Sequence, residues 1–301
     1  MTLTGIHLLL TCQCNYECDH CFVWGSPRQE ATMTLARVRA ILAQARELGT
    51  VEWIYFEGGE PFLFYTALLV GVREAARLGF RVGIVSNAYW ATSEEDAREC
   101  LAPFAGLVQD FSVSCDTFHG NDRAGGAPAH AEAAARALGI PVGVIRVARP
   151  EAPGVAPASG QLPIGQSAVM FRGRAAEKLA AEAPQRPWDT FTECPHEDLR
   201  EPGRVHVDPL GNVHVCQGIS AGNLFRDSLR RICGAYDADA HPVVGPLLRG
   251  GPAELVRSHG LAHGSGYADA CHLCDAARRA LRPRFPDALT PDALYGVFGE
   301  A

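Results

Sequence analysis

GIHLLLTCQCNYECDHC (5–21) runs from a short apolar stretch straight into a loop holding three cysteines, spaced Cys14-x3-Cys18-x2-Cys21. A brief apolar run rich in branched side chains, closed by a polar segment, reads as a buried β-strand. Thiols on the loop leaving the C-terminal end of such a strand sit where parallel α/β folds place their chemistry. Three thiolates are one fewer than a tetrahedral zinc ion or a four-iron cube takes. Two occupants fit the spacing: a zinc ion completed by His20 or a distant ligand, or a [4Fe–4S] cube with one iron left open.

Outward from that stretch the same rhythm repeats. VEWIYFE (51–57), RVGIVSN (81–87), DFSVSCD (110–116) and VGVIRVA (142–148) are further strand candidates. Between them, residues 34–49, 66–79, 93–104 and 130–139 carry helical spacing, and three of these four stretches stop at glycine. Strand and helix in alternation mean a parallel sheet with helical crossovers. The expected fold is α/β, a partial (β/α)6 TIM-like barrel, although an open doubly wound sheet has the same pattern.

The Pro- and Gly-rich segment 149–165 reads as a loop or lid, and 166–183 as a strand start followed by an alanine-rich helix. VHVDPLGNVHVC (205–216) is a β-hairpin pattern. The last third is loop-rich and holds Cys194, Cys216, Cys233, Cys271 and Cys274, so the chain divides into a barrel, 1–183, and a small C-terminal unit, 184–301.

The 301 residues carry 47% hydrophobic and 20% charged side chains, as an ordinary globular enzyme does. A formal net charge of −7 argues against nucleic acid or an anionic membrane as partner and is compatible with a cationic small substrate. No apolar run has the length of a membrane span, and the N-terminus lacks the basic flank of a signal peptide, so the expected location is cytoplasmic. Eleven cysteines in a reducing compartment are metal ligands, reactive thiols or core residues.

The second strand candidate ends in Glu57-Gly58-Gly59-Glu60-Pro61. Adjacent glycines at a strand end let the backbone approach a ligand closely. Together with the cysteine loop, this stretch closely resembles the radical S-adenosylmethionine (radical SAM) enzymes. The resemblance implies a [4Fe–4S] cluster on Cys14, Cys18 and Cys21, with SAM on the open iron as the source of a 5′-deoxyadenosyl radical. It further implies that Gly58, Gly59 and Glu60 grip the methionyl amine, and that His20 lies near the adenine. Asn87, Ser112, Ser114, Asp116 and Arg146 are further candidates for SAM contact. A flavodoxin or ferredoxin is the kind of electron donor implied.

Cys194, then Gly211-x4-Cys216, then Cys271-x2-Cys274 is similar to the twitch domain of some radical SAM enzymes, a shortened SPASM domain. That resemblance implies a second, auxiliary [4Fe–4S] cluster on Cys194, Cys216, Cys271 and Cys274; a four-cysteine zinc site has similar spacing. The expected reaction resembles that of radical SAM epimerases in aminoglycoside antibiotic biosynthesis. The radical takes hydrogen from a stereocentre of a small amino sugar, and Cys233 returns hydrogen to the opposite face. The alternatives are a dehydrogenase of an amino-sugar alcohol, which needs no spare thiol, and a peptide-modifying enzyme whose leader-recognition module would come from a partner.

Overall fold

The computed structural model describes residues 1–120, 126–150, 155 and 164–298. The barrel half comprises β1 (Leu3–Thr11), α1 (Leu35–Leu48), β2 (Trp53–Gly58), α2 (Tyr65–Arg77), β3 (Arg81–Ser86), α3 (Glu94–Leu101), β4 (Asp110–Ser114), α4 (Ala127–Ala137), β5 (Val142–Val147), β6 (Gly165–Ser167) and α5 (Arg174–Lys178). There follow β7 (Arg186–Pro187), β8 (Gly203–Val207), β9 (Asn212–Cys216), β10 (Ile219–Asn223), α6 (Leu229–Ala235), α7 (Val244–His259), β11 (Gly266–Tyr267) and α8 (Ala270–Leu281). Local chemistry fixes the ends. The Thr34 and Ser93 hydroxyls accept from the N–H of Arg37 and Asp96 to start α1 and α3, and Gly49, at φ 83°, closes α1.

Strands β1 to β6 lie side by side in chain order, each parallel to the next, as a partial barrel requires. The outward faces supply the core. Ile6, Leu8, Ile54, Phe56, Val82, Ile84, Phe111 and Val113 are buried against Val38, Ile41 and Leu42 of α1 and Leu68 and Val72 of α2. Each such side chain contributes about 1.5–3 kcal/mol of burial, so this layer holds the barrel whatever the inner face carries.

The 205–216 hairpin forms as expected, but its place differs from the expected appendage. β8 pairs in parallel with β1, and β9 and β10 extend the same nine-stranded sheet beyond it. The cause is the burial of Val205 and Val207, which continue the outward apolar face beside Ile6 and Leu8. The turn is held by the buried Asp208 carboxylate, which accepts from the N–H groups of Leu210 and Asn212, the Asn212 amide and the His214 ring.

Register also decides the inner face. His7 lies beside Tyr55 and His206, Leu9 beside Glu57, Val85 beside Ser112, and Ser114 beside Ile145. Period-two alternation therefore turns Arg146 outward into solvent, between the inward Ile145 and Val147. Arg146 is removed from the SAM-contact candidates. Most of the segment 149–165 anticipated as a lid lies outside the described residues. Among the described residues no helix is long and apolar enough to cross a membrane.

Candidate active site and second cysteine site

A cavity enclosing about 1290 Å³, counting space open to solvent, occupies the barrel interior beneath the cysteine loop. Cys14, Cys18 and Cys21 all line it, as do Gly58, Gly59, His20, Asn87 and Ser114. The loop is tied down by the chain's own donors. The Tyr16 N–H lies 3.4 Å from Cys14 Sγ, the Asn87 amide nitrogen 3.6 Å from the same sulfur, and the Gly25 N–H 3.3 Å from Cys21 Sγ. From behind, the buried Arg174 donates to the carbonyls of Cys18 and Gly25.

Burial pushes the Cys14 thiol up to about 12, and nearby Glu60 and Cys21 push the same way. Burial and the other two sulfurs raise Cys18 as well. Three sulfurs whose thiolates would repel one another, with N–H donors aimed at two of them, form a donor set suited to a cationic centre. They fit a cluster held by three thiolates.

The two glycines are obligatory where they stand. Gly58 lies opposite Thr11 where β2 meets β1, and the Gly59 N–H donates to the Thr11 carbonyl at 2.7 Å. A Cβ on Gly58, at φ 134°, would lie 2.1 Å from the Thr11 carbonyl oxygen, and one on Gly59 2.0 Å from that of Gln13. Gly59→Ala should therefore push the cysteine loop by about 1 Å and cut SAM cleavage about 100-fold, beyond a packing cost of about 1–3 kcal/mol. Cleavage assay and melting temperature on the same sample check both.

Glu60 does not reach the cavity, contrary to expectation. It is 0% exposed and caps the following turn, accepting from the Phe62 N–H, the Ser86 hydroxyl and the Asn87 N–H. Burial raises its pKa to about 7 against the pull of those three donors. Its effect on the site is indirect, because it fixes the backbone of Asn87, whose side chain reaches Cys14 and Asn15.

Two more expectations need correcting. Ser112 lies below the cavity lining, bonded to Asp110, and Asp116 stands behind the wall. The Asp116 oxygens are engaged by the N–H groups of Phe118, His119 and Val147 and by the His119 ring. Ser114 and His20 do face the cavity; His20 stacks on Phe118 at 4.8 Å, and burial lowers its pKa to about 4, leaving it neutral near pH 7.

Cys233 is not at the site. It is 6% exposed in the outer core on α6, and its carbonyl accepts from the Met1 ammonium at the start of β1. The cysteine loop leaves the other end of that nine-residue strand, roughly 30 Å away. The helix face that buries Leu229 and Ile232 carries Cys233 into the core with them.

Cys194, Cys216, Cys271 and Cys274 line one separate cavity, together with the buried Arg172 and Arg278. Burial pushes Cys274 up to about 12 and raises Cys271 and Cys194, the neighbouring sulfurs adding to each. Arg278 donates to the Gln217 carbonyl, and an Arg172 nitrogen lies 3.9 Å from Cys216 Sγ. Four thiols flanked by two buried guanidiniums suit an anionic four-thiolate centre.

The sequence reading missed Arg172, which lines both cavities. It named Glu57 as a carboxylate for a substrate ammonium group but missed His7 and His206, which converge with it on the cavity floor beside Arg204. The available signal was a polar residue breaking an apolar strand, as His7 does in GIHLLLT.

Residues 8–142, from β1 into β5, match the family model described as the Radical SAM superfamily. That span contains the cysteine loop and Gly58-Gly59 at the cavity. Over that span, a little under half of the chain, the sequence is similar to the radical SAM superfamily. The radical SAM superfamily uses a [4Fe–4S] cluster and SAM. Among curated proteins, the chain is similar to the putative peptide biosynthesis protein YydG of Bacillus subtilis, 27% identical over 115 residues, covering 38% of this chain and 36% of that protein. It is also similar to the PqqA peptide cyclase of Streptomyces rochei, 38% identical over 94 residues, covering 30% of this chain and 24% of that one. The matched region is thus about a third or less of each curated relative's length. Among solved structures, Streptococcus suis SuiB bound to precursor peptide SuiA superposes with a TM-score of 0.54 at 12% identity, over 90% of this chain and 76% of that one. That likeness concerns the fold, and it extends past the radical SAM span into the C-terminal residues.

Proposed function

We propose that this radical SAM chain is a dehydrogenase that oxidises a hydroxyl-bearing carbon of a small polar substrate such as an amino-sugar alcohol. The observation that carries the proposal is the distribution of thiols. Of the eleven cysteines, all within the described residues, only Cys14, Cys18 and Cys21 line the cavity. A route that returns hydrogen from a spare thiol has no donor there, which removes the main support of the epimerase expectation.

When bound, SAM and a cluster on Cys14, Cys18 and Cys21 supply a 5′-deoxyadenosyl radical, and a second cluster supplies an acceptor for one electron. Oxidation of the alcohol removes one hydrogen atom, one electron and one proton, so it closes without a thiol. Gly58, Gly59, Asn87, Ser114 and His20 border the upper space beside the cysteine loop, where SAM would be held. Val85, Ile145 and Val147 form apolar walls that keep water from the reacting carbon, and the polar floor receives its oxygen. Arg172, common to both cavities, separates substrate space from the four-cysteine site by a single side chain.

The test is mass spectrometry of an anaerobic reaction in D2O with reconstituted protein, SAM, dithionite and a panel of aminoglycosides and aminocyclitols. A product two mass units lighter is expected. A product one unit heavier would overturn the proposal and restore the epimerase. A second reading, peptide modification, is favoured by the names of YydG and the PqqA peptide cyclase; inert sugars together with mass loss from a peptide panel would establish it instead.

A further inference from the structure

We propose that His7, Glu57 and His206 form a binding site for a single divalent transition-metal cation on the cavity floor, separate from both cysteine sets. They come from the adjacent strands β1, β2 and β8, and their ligand atoms all lie within 4.8 Å of one another. His7 Nδ1 stands 3.3 Å from Glu57 Oε1, and His206 Nε2 stands 3.0 Å from the same oxygen. Two ligands each about 2.0–2.2 Å from one cation, at angles between 90° and tetrahedral, are separated by roughly 2.8–3.6 Å. Both histidine–glutamate distances fall in that window, and the two imidazole nitrogens lie within 4.8 Å of each other.

Both imidazoles approach Glu57 at ion-pair distance, without the geometry of hydrogen bonds. His7 Nδ1 and Glu57 Oε1 are buried with no partner of acceptable hydrogen-bond geometry among the described residues. The His7 side chain is more than nine-tenths buried, and its ring is held at that angle by stacking on Tyr55 at 4.5 Å, which donates in turn to Asp110. Arg204 and Arg172, which line the same cavity, both pair with Glu197 and so leave Glu57 to the two imidazoles. The other mixed cluster, His20, Asp116 and His119, makes the contrast, since Asp116 stands behind the cavity wall and its oxygens already accept four hydrogen bonds.

Two imidazoles and one carboxylate suit Fe2+, Mn2+, Co2+ or Zn2+ and leave coordination positions open. All three residues line the cavity, so a hydroxyl or carboxylate oxygen would complete the coordination; that last step rests on the proposed reading of the cavity as a substrate site.

The test uses the reconstituted holoenzyme with its clusters oxidised and EPR-silent, titrated with Mn2+. One Mn2+ per chain should leave the free six-line signal, be displaced by Zn2+, and show imidazole nitrogen modulation in pulsed EPR. Affinity should fall roughly 100-fold or more in His206→Ala and Glu57→Gln. No bound Mn2+, or bound Mn2+ without nitrogen modulation, overturns the site. So do folded variants that bind Mn2+ as the parent does; if the variants do not fold, the parent's nitrogen modulation decides. Turnover plays no part in this readout, so failure of the dehydrogenase reading would leave it standing.

Discussion

Replacing Cys14, Cys18 and Cys21 together by alanine is expected to abolish reductive SAM cleavage while the protein keeps about half the iron of the reconstituted parent. All three sulfurs line the cavity beneath the loop, and none belongs to the main core formed by the outer sheet face and its helices. The sheet should therefore fold without them. The loop that carries them is held by other groups, among them the Arg174 guanidinium on the Cys18 and Gly25 carbonyls. Burial above all raises Cys14 and Cys18, so without iron these two thiols are neutral near pH 7 and their removal should change the melting temperature little. Three measurements suffice: iron per chain, 5′-deoxyadenosine released under dithionite, and thermal unfolding. Continued SAM cleavage would move the cluster to other residues. Loss of all the iron would mean that the C-terminal cysteines do not hold a cluster.

The strands could be read from sequence because their outward faces are continuous apolar layers. Phe111 and Val113 against Ser112 and Ser114, or Ile54 and Phe56 against Tyr55 and Glu57, give alternation that survives without any partner in view. The helix ends were written in Thr34, Ser93 and Gly49. What alternation does not tell is height along a strand. Ser112 and Ser114 share a face, yet one is buried against Asp110 and the other lines the cavity. It also leaves the sense of a face to be guessed, and Arg146 pointed outward. Distance along the chain hid the rest. β8 reaches β1 across nearly 200 residues, so His206 joins His7 and Glu57 only through a pairing that no local pattern encodes. Cys233 shows the converse: its helix face was legible, but that face belongs to the core at the opposite end of β1 from the cysteine loop.

Cys271→Ala combined with Cys274→Ala should separate the two halves of the reaction, leaving SAM cleavage intact and reducing product formation to background. Both sulfurs belong to the cavity shared with Cys194, Cys216, Arg172 and Arg278, and neither lines the cavity of the first three cysteines. The barrel's grip on its own loop involves none of them, so 5′-deoxyadenosine should still form under dithionite. Closing an alcohol oxidation needs somewhere for the last electron, and the proposal places it at this second site. Without it, a substrate radical can only be quenched or revert, and 5′-deoxyadenosine accumulates with no ketone. The variant carries a structural cost as well, because Arg172 and Arg278 are buried and face these sulfurs. Each guanidinium keeps a carboxylate partner, Glu197 for Arg172 and Asp275 for Arg278, so the cost is about 1–3 kcal/mol. A lower melting temperature is therefore expected alongside the uncoupling, and the decisive ratio is product to 5′-deoxyadenosine on the folded fraction. Unchanged product in the double variant would remove the electron-acceptor role. Zinc in place of iron at this site in the parent would do the same, because zinc has no second oxidation state to offer. The last electron would then have to leave by another route, and Arg172 would remain only as the wall between the two cavities.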